Sequence, residues 1–185
     1  MKIKLYASGK SNNDLAHYIS PYPPYTFRVF IPVEEEQYRK TYRTFNERRC
    51  VYEKAINSRQ CTCQRSQRFN LADREGVACQ SQQSHQRCST LLILMRQNAS
   101  FALKLADHDG SPLPHAKEMK VQMGGLLGLQ QLAFAEKHNM TSVDDVDGIL
   151  QQVIELFNKL EDIPFNEVVK SITKFKGRPR RSDKK

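Results

Sequence analysis

The period of the apolar positions changes along the chain, and each change marks an element. Ile3 to Tyr6 reads as a short strand and Ser8 to Asp14 as a polar loop. In the run Ser20 to Tyr25, Pro21, Pro23 and Pro24 exclude a helix, since each lacks an amide donor and restricts its predecessor. Phe27, Val29 and Ile31 then alternate as in a second strand or an extended arm ending near Val33. From Glu34 the spacing turns helical. Tyr38, Tyr42, Phe45, Tyr52 and Ile56 fall on one seam, with Arg49 in the missing place and Glu34 to Glu36 at the positive end of the dipole. This predicts one long helix to about Asn57, its aromatic residues facing the core and its arginines facing outward.

Further on, the pattern predicts a helix over Gln67 to Arg74 that stops at Gly76. An amphipathic helix over Cys88 to Leu105 carries Leu91, Leu92, Met95, Ala99, Ala102 and Leu105, and His108 to Pro114 is a loop by composition. Ala116 to Glu136 is helical but interrupted by Gly124, Gly125 and Gly128. Because a helical glycine costs up to about 1 kcal/mol against alanine, this stretch is expected either to bend or to use the missing side chains for close backbone approach. Asp144, Asp145 and Asp147 suit a helix N-terminus better than a calcium loop, and Val146 to Leu160 bears a wide apolar stripe. Pro164 opens a last helix reaching Phe175. The expected fold is mainly α: an extended or β arm at 1–33, a helical domain at 34–172, and a disordered basic tail at 173–185.

The chain has 185 residues, with 29 Lys and Arg against 20 Asp and Glu, a net charge of +9. That excess is uneven: residues 1–49 carry +4, 50–110 carry +3, 111–172 carry −4 and 173–185 carry +6. A hydrophobic share of 39% is too high for a wholly disordered chain. No run approaches the roughly 18 apolar residues of a spanning helix, and the N-terminus lacks an apolar stretch of signal-peptide length. A soluble cytoplasmic protein without a membrane partner is the expectation.

The five cysteines, Cys50, Cys61, Cys63, Cys79 and Cys88, all lie between positions 50 and 88, spaced C-x10-C-x-C-x15-C-x8-C. In a reducing compartment such a cluster reads as metal ligands or redox groups before it reads as a disulfide frame. Four thiolates are the usual complement of a zinc ion or an iron–sulfur cluster. The spacing lacks the paired C-x2-C loops common in zinc sites, which tilts the reading slightly toward a cluster. Cys61, Cys63 and Cys79 sit among Gln, Ser, Arg and Thr, where core filling explains them poorly. The expected ligands are Cys61, Cys63, Cys79 and Cys88, with Cys50 as the reserve or the true fourth. His85 is an alternative donor. Arg59, Arg65, Arg68, Arg74 and Arg87 are expected to surround the site with positive charge.

At the C-terminus, Lys176, Gly177, Arg178, Pro179, Arg180 and Arg181 form a basic run about a Gly-Arg-Pro centre. It resembles an AT-hook, although Lys176 stands where that family usually has arginine. The resemblance implies an extended chain whose Lys176, Arg178, Arg180 and Arg181 enter a narrow, strongly negative minor groove. No nucleophile–base order, phosphate loop or paired carboxylates in an apolar setting points to catalysis. The functional expectation is a non-catalytic metal- or iron–sulfur-binding protein, its site structural or redox-sensing, in a regulatory or accessory role. The alternatives are a nucleic-acid-binding protein acting through its tail, and a cofactor-free helical adaptor with a protein partner in a larger complex.

Overall fold

The computed structural model describes residues 35–105, 113–134 and 141–177. The expected strands and arm of residues 1–33, the loop at 108–112 and the tail arginines Arg178, Arg180 and Arg181 lie outside the described residues. Within them the fold is mainly α. In chain order the elements are α1 (Glu35–Phe45), α2 (Glu53–Asn57), β1 (Ser66–Leu71), β2 (Arg74–Cys79), α3 (Gln82–Ala99), α4 (His115–Met119), a π-helical segment (Lys120–Gly124), α5 (Gly125–Ala133), α6 (Val146–Phe157), a 3-10 turn (Leu160–Asp162) and α7 (Phe165–Lys174). Among the described residues, no helix is long and apolar enough to cross a membrane.

The helical half packs as its apolar stripes dictate. Leu91, Leu92, Met95 and Ala99 of α3 meet Leu126 and Leu129 of α5, Leu150 and Val153 of α6, and Val168 and Ile172 of α7 in one core. Each fully buried Leu, Ile or Val contributes about 1.5–3 kcal/mol over exposure, so this core is the main stabilising mass of the chain. Its glycines serve close approach. A Cβ on Gly124 would stand 2.7 Å from the Ile172 Cα, and one on Gly128 3.2 Å from the Val168 Cα, so α7 lies directly on the glycine face. The π segment lets Val121, Gln122, Met123 and Gly124 all be buried in succession, which the one-sided face of a regular α-helix does not allow.

Three sequence expectations are corrected. The long helix from Glu34 is broken: Asn46 to Tyr52 leaves the helix so that Arg48 to Cys50 can lie along β2, with Cys50 N–H donating to Val77 O (2.9 Å) and Cys79 N–H to Arg48 O (2.8 Å). Helix α1 buries no residue, and Phe45 is 67% exposed, so its aromatic side chains are not a core seam. Instead Tyr42 and Phe45 meet Phe69, with ring centroids 5.8 and 5.5 Å apart, while Arg74 covers Tyr38. Residues 67–74 are not a helix but most of an antiparallel hairpin, turned at Ala72–Asp73 with Ala72 at φ 55°. Gly76 is no helix stop; it pairs with Phe69, whose ring would lie 2.5 Å from a Cβ there. Lastly, α3 begins at Gln82 with Ser81 as its cap, so Cys88 lies inside the helix and not at its start.

Replacement Gly124→Ala forces its methyl into the α7 backbone and is expected to lower unfolding free energy by about 1–3 kcal/mol, as overpacking does. Gly177→Ala, where nothing stands within 4 Å, is expected to leave the denaturant midpoint unchanged.

Candidate metal centre

The cysteine segment is folded by contacts with distant parts of the chain. Glu53 is buried, and its carboxylate accepts from Val77 N–H at 3.0 Å, from the Tyr42 hydroxyl and from the Arg49 guanidinium. This holds α2 and the Cys50 loop against β2. On the other side, Gln122 of the π segment receives Ala55 N–H on Oε1 (3.2 Å) and donates from Nε2 to Val51 O (3.3 Å) and Glu118 Oε1 (2.7 Å). Buried Glu118 also accepts from Arg96 Nη2 on both oxygens, at 2.8 and 2.9 Å. The loop bearing Cys50 is therefore fixed to both halves of the protein.

Cys63 is placed by the N-terminus of α6. Val146 N–H donates to Thr62 O (3.1 Å), Gly148 N–H to Asp145 Oδ2 (3.1 Å), and Asp145 Oδ1 accepts Gln64 N–H (3.0 Å). The Arg65 and Asp147 backbones beside Cys63 lower its pKa against the effect of burial. The Tyr52 backbone acts in the same sense on Cys50. Both effects favour a negatively charged sulfur.

Cys50, Cys63, Cys79 and Cys88 line one small space of about 10 Å³, together with Tyr52, Ser84, His85 and Asp147 among others. Cys79 Sγ donates to Ser81 O at 3.2 Å, and His85 Nε2 lies 3.1 Å from Arg49 O. Asp147 is buried and paired with Arg65 (3.3 Å) and Arg87 (3.4 Å). Cys61, expected as a ligand, is not on this wall. It is 1% exposed in the hydrophobic core, where its segment bridges to Val143 through Thr62 N–H to Val143 O and Val143 N–H to Gln60 O, both 2.9 Å. All five cysteines are free thiols. Among the described residues, no three His, Cys, Asp or Glu side chains stand arranged to hold a metal ion.

The expected belt of five arginines is also revised. Only Arg65 and Arg87 reach this region, through Asp147; Arg59 and Arg68 bind Glu75, and Arg74 binds Glu35. Lys176 is exposed just past α7.

Burial keeps the thiols of Cys50, Cys61, Cys63 and Cys88 protonated. It pushes Cys50 up to about 12, with Cys63 and Cys79 adding to the effect against the Tyr52 amide. Cys61 and Cys88 are pushed up by burial first and then by Cys50 and Cys63, and Cys63 by burial, against the lowering effect of the Arg65 and Asp147 backbones. Such thiols are poor nucleophiles without a cation beside them. Each titrates higher folded than unfolded, so the stability it confers is complete below its ordinary value of 9.0 and is lost as the pH rises past it. Metal-free protein is therefore expected to show a lower urea midpoint at about pH 10 than at about pH 7. An unchanged midpoint would contradict the burial of these thiols.

Neither a protein-family model, nor a curated protein, nor a solved structure matches this chain.

Proposed function

We propose that the protein is a non-catalytic metal-binding protein in which Cys50, Cys63, Cys79 and Cys88 hold a single zinc ion in a structural site. One observation carries this reading: four thiols from four separate chain segments line the same small space. Zinc is preferred over the iron–sulfur alternative because four thiolates close a tetrahedral structural site for it without further ligands.

Binding requires loss of the thiol protons and rotation of the four side chains onto a common centre. A divalent ion with four thiolates is a dianion. Arg65 and Arg87, already facing each other across Asp147, supply compensating charge. The ion would join the Cys50 loop, the turn at Cys63, the end of β2 and the middle of α3. Its binding free energy would then be folding free energy, as in other small structural zinc sites.

Protein purified without oxygen is expected to contain one zinc per chain and no acid-labile sulfide. Serine at position 50, 63, 79 or 88 should lower both zinc content and melting temperature, while Cys61→Ser keeps the zinc. Iron with sulfide would replace zinc by a cluster. Metal-free wild-type protein that also takes up no added zinc would overturn the proposal.

A further inference from the structure

The cleft between α1 and α2 stands apart from the proposed metal site, since none of the four thiols lines it. It encloses about 810 Å³, a volume in the range of small-molecule sites. Tyr38, Tyr42, Arg43 and Asn46 line it from α1, at the spacing of one helical face, and Lys54 and Asn57 line it from α2. Because α1 buries no residue, this aromatic and basic face is not accounted for by a core behind it.

The carboxylates around the cleft are mostly neutralised. Glu53 is paired with Arg49. Glu35 is shared by Arg39 (3.1 Å) and Arg74 (2.8 Å), and Glu75 by Arg59 (3.0 Å) and Arg68 (2.8 Å). Two guanidinium groups on one carboxylate leave a positive charge over at each place. Glu47 lacks a cation, but the side chains of Arg43 and Lys54 have neither an ion pair nor a hydrogen bond among the described residues. The balance is positive, and two cations in the wall are free for an anionic group.

The same wall offers flat surfaces and spare acceptors. Arg74 lies 4.3 Å over the Tyr38 ring and Arg49 5.5 Å over the Tyr42 ring, with the two rings 5.9 Å apart. Aromatic rings and guanidinium planes are the two surfaces on which nucleobases stack. Asn46, 5% exposed, spends its Nδ2 on the Tyr42 hydroxyl (2.9 Å) and Val77 O (3.1 Å), and Asn57 spends its Nδ2 on Glu75 O (3.3 Å). The Oδ1 of each is buried without a partner. An acceptor in that state carries its desolvation cost until a donor reaches it, and base amines and ribose hydroxyls are such donors.

We infer that the cleft between α1 and α2 binds nucleotides, with bases on the ring and guanidinium wall and phosphate at Arg43 and Lys54. A free nucleotide and a nucleotide unit of a single strand present the same chemistry: a flat base, donor groups and an anion. The site is independent of zinc, and it gives the alternation of aromatic and basic residues along α1 a task that core packing does not.

The test titrates ATP and a short single strand of deoxyadenylate separately into the full chain by calorimetry, with tripolyphosphate as the control that lacks a base. Either ATP or the strand is expected to bind, and tripolyphosphate about 10-fold or more weakly. Tighter binding of the strand than of ATP assigns the site to nucleic acid, and the reverse order to a free nucleotide. Arg43→Gln combined with Lys54→Gln should lower the affinity about 10-fold or more, as loss of charge-assisted bonds does, at an unchanged melting temperature. Tyr38→Ala should also weaken binding, and Tyr38→Phe should retain it. Tripolyphosphate binding as tightly as ATP and the strand would reduce the cleft to a bare anion site and overturn the inference. So would an affinity that neither the Arg43 and Lys54 changes nor Tyr38→Ala alters, which would place binding elsewhere on the chain, or no binding of ATP and of the strand. None of these results bears on the metal site.

Discussion

The interaction on which the rest of the structure leans is the buried carboxylate of Glu118, 2% exposed, and its bond to Arg96. A charge so enclosed is tolerable only if it is paired and its lone pairs are satisfied, and removing a partner from such a pair is far more costly than the pair is stabilising. Glu118 meets this demand through Arg96 of α3 on one side and Gln122 of the π segment on the other. Gln122 then has one amide oxygen to offer, and it binds Ala55 N–H while its nitrogen reaches Val51 O. A requirement that begins as electrostatics inside the helical core thus ends as a fixed position for the backbone on either side of Tyr52. The π segment belongs to the same logic: widening the helix by one residue brings Gln122 inward alongside Val121 and Met123.

Much of the helical half was legible in the sequence because its information is local. The stripes of α3, α6 and α7 repeat at helical spacing, Asp145 caps α6, and the glycines of α5 and the π segment allow α7 to approach closely. The other half was not legible for a physical reason. Nothing in residues 34–57 taken alone prevents one continuous helix; what ends it is Glu53 reaching Val77 N–H and Cys50 reaching Val77 O, over separations of 24 and 27 residues. The stretch 67–76 has mixed propensity, and its hairpin is decided by Phe69 lying across Gly76 and under Tyr42. Tertiary contacts overrode local preference at both places.

The candidate site divides along the same line. That cysteines cluster between 50 and 88 is visible in one dimension, but which four converge is not. Cys61 and Cys63, two residues apart, part company because the chain turns at Cys63, with Ser66 N–H bonded to its carbonyl, while Cys61 is drawn into the core by its bridge to Val143. That bridge spans some eighty residues, so only an intact α6 reveals it. The same packing that removes Cys61 brings the start of α6 to the Cys63 turn, where Val146 N–H bonds Thr62 O.

The position of the thiols also accounts for why a clamp belongs there. The helical half is self-sufficient in buried aliphatic residues, whereas the segment from α1 to β2 buries few: Tyr52, Ala55, Ile56, Cys61, Val77 and Cys79. A part with so little apolar area cannot offset its own ordering entropy and must be tied to something larger. Hydrogen bonds from Glu53, Gln122 and Asp145 do some of this, yet each replaces a bond to water and returns only about 1 kcal/mol. An ion held, as proposed, by Cys50, Cys63 and Cys79 from the polar side and by Cys88 from α3 would join the weak half to the strong one at their seam. A site confined to the helical core would stabilise what is already stable, and one confined to the hairpin would leave it unattached. With three thiols on one side and one on the other, the proposed ion would couple them.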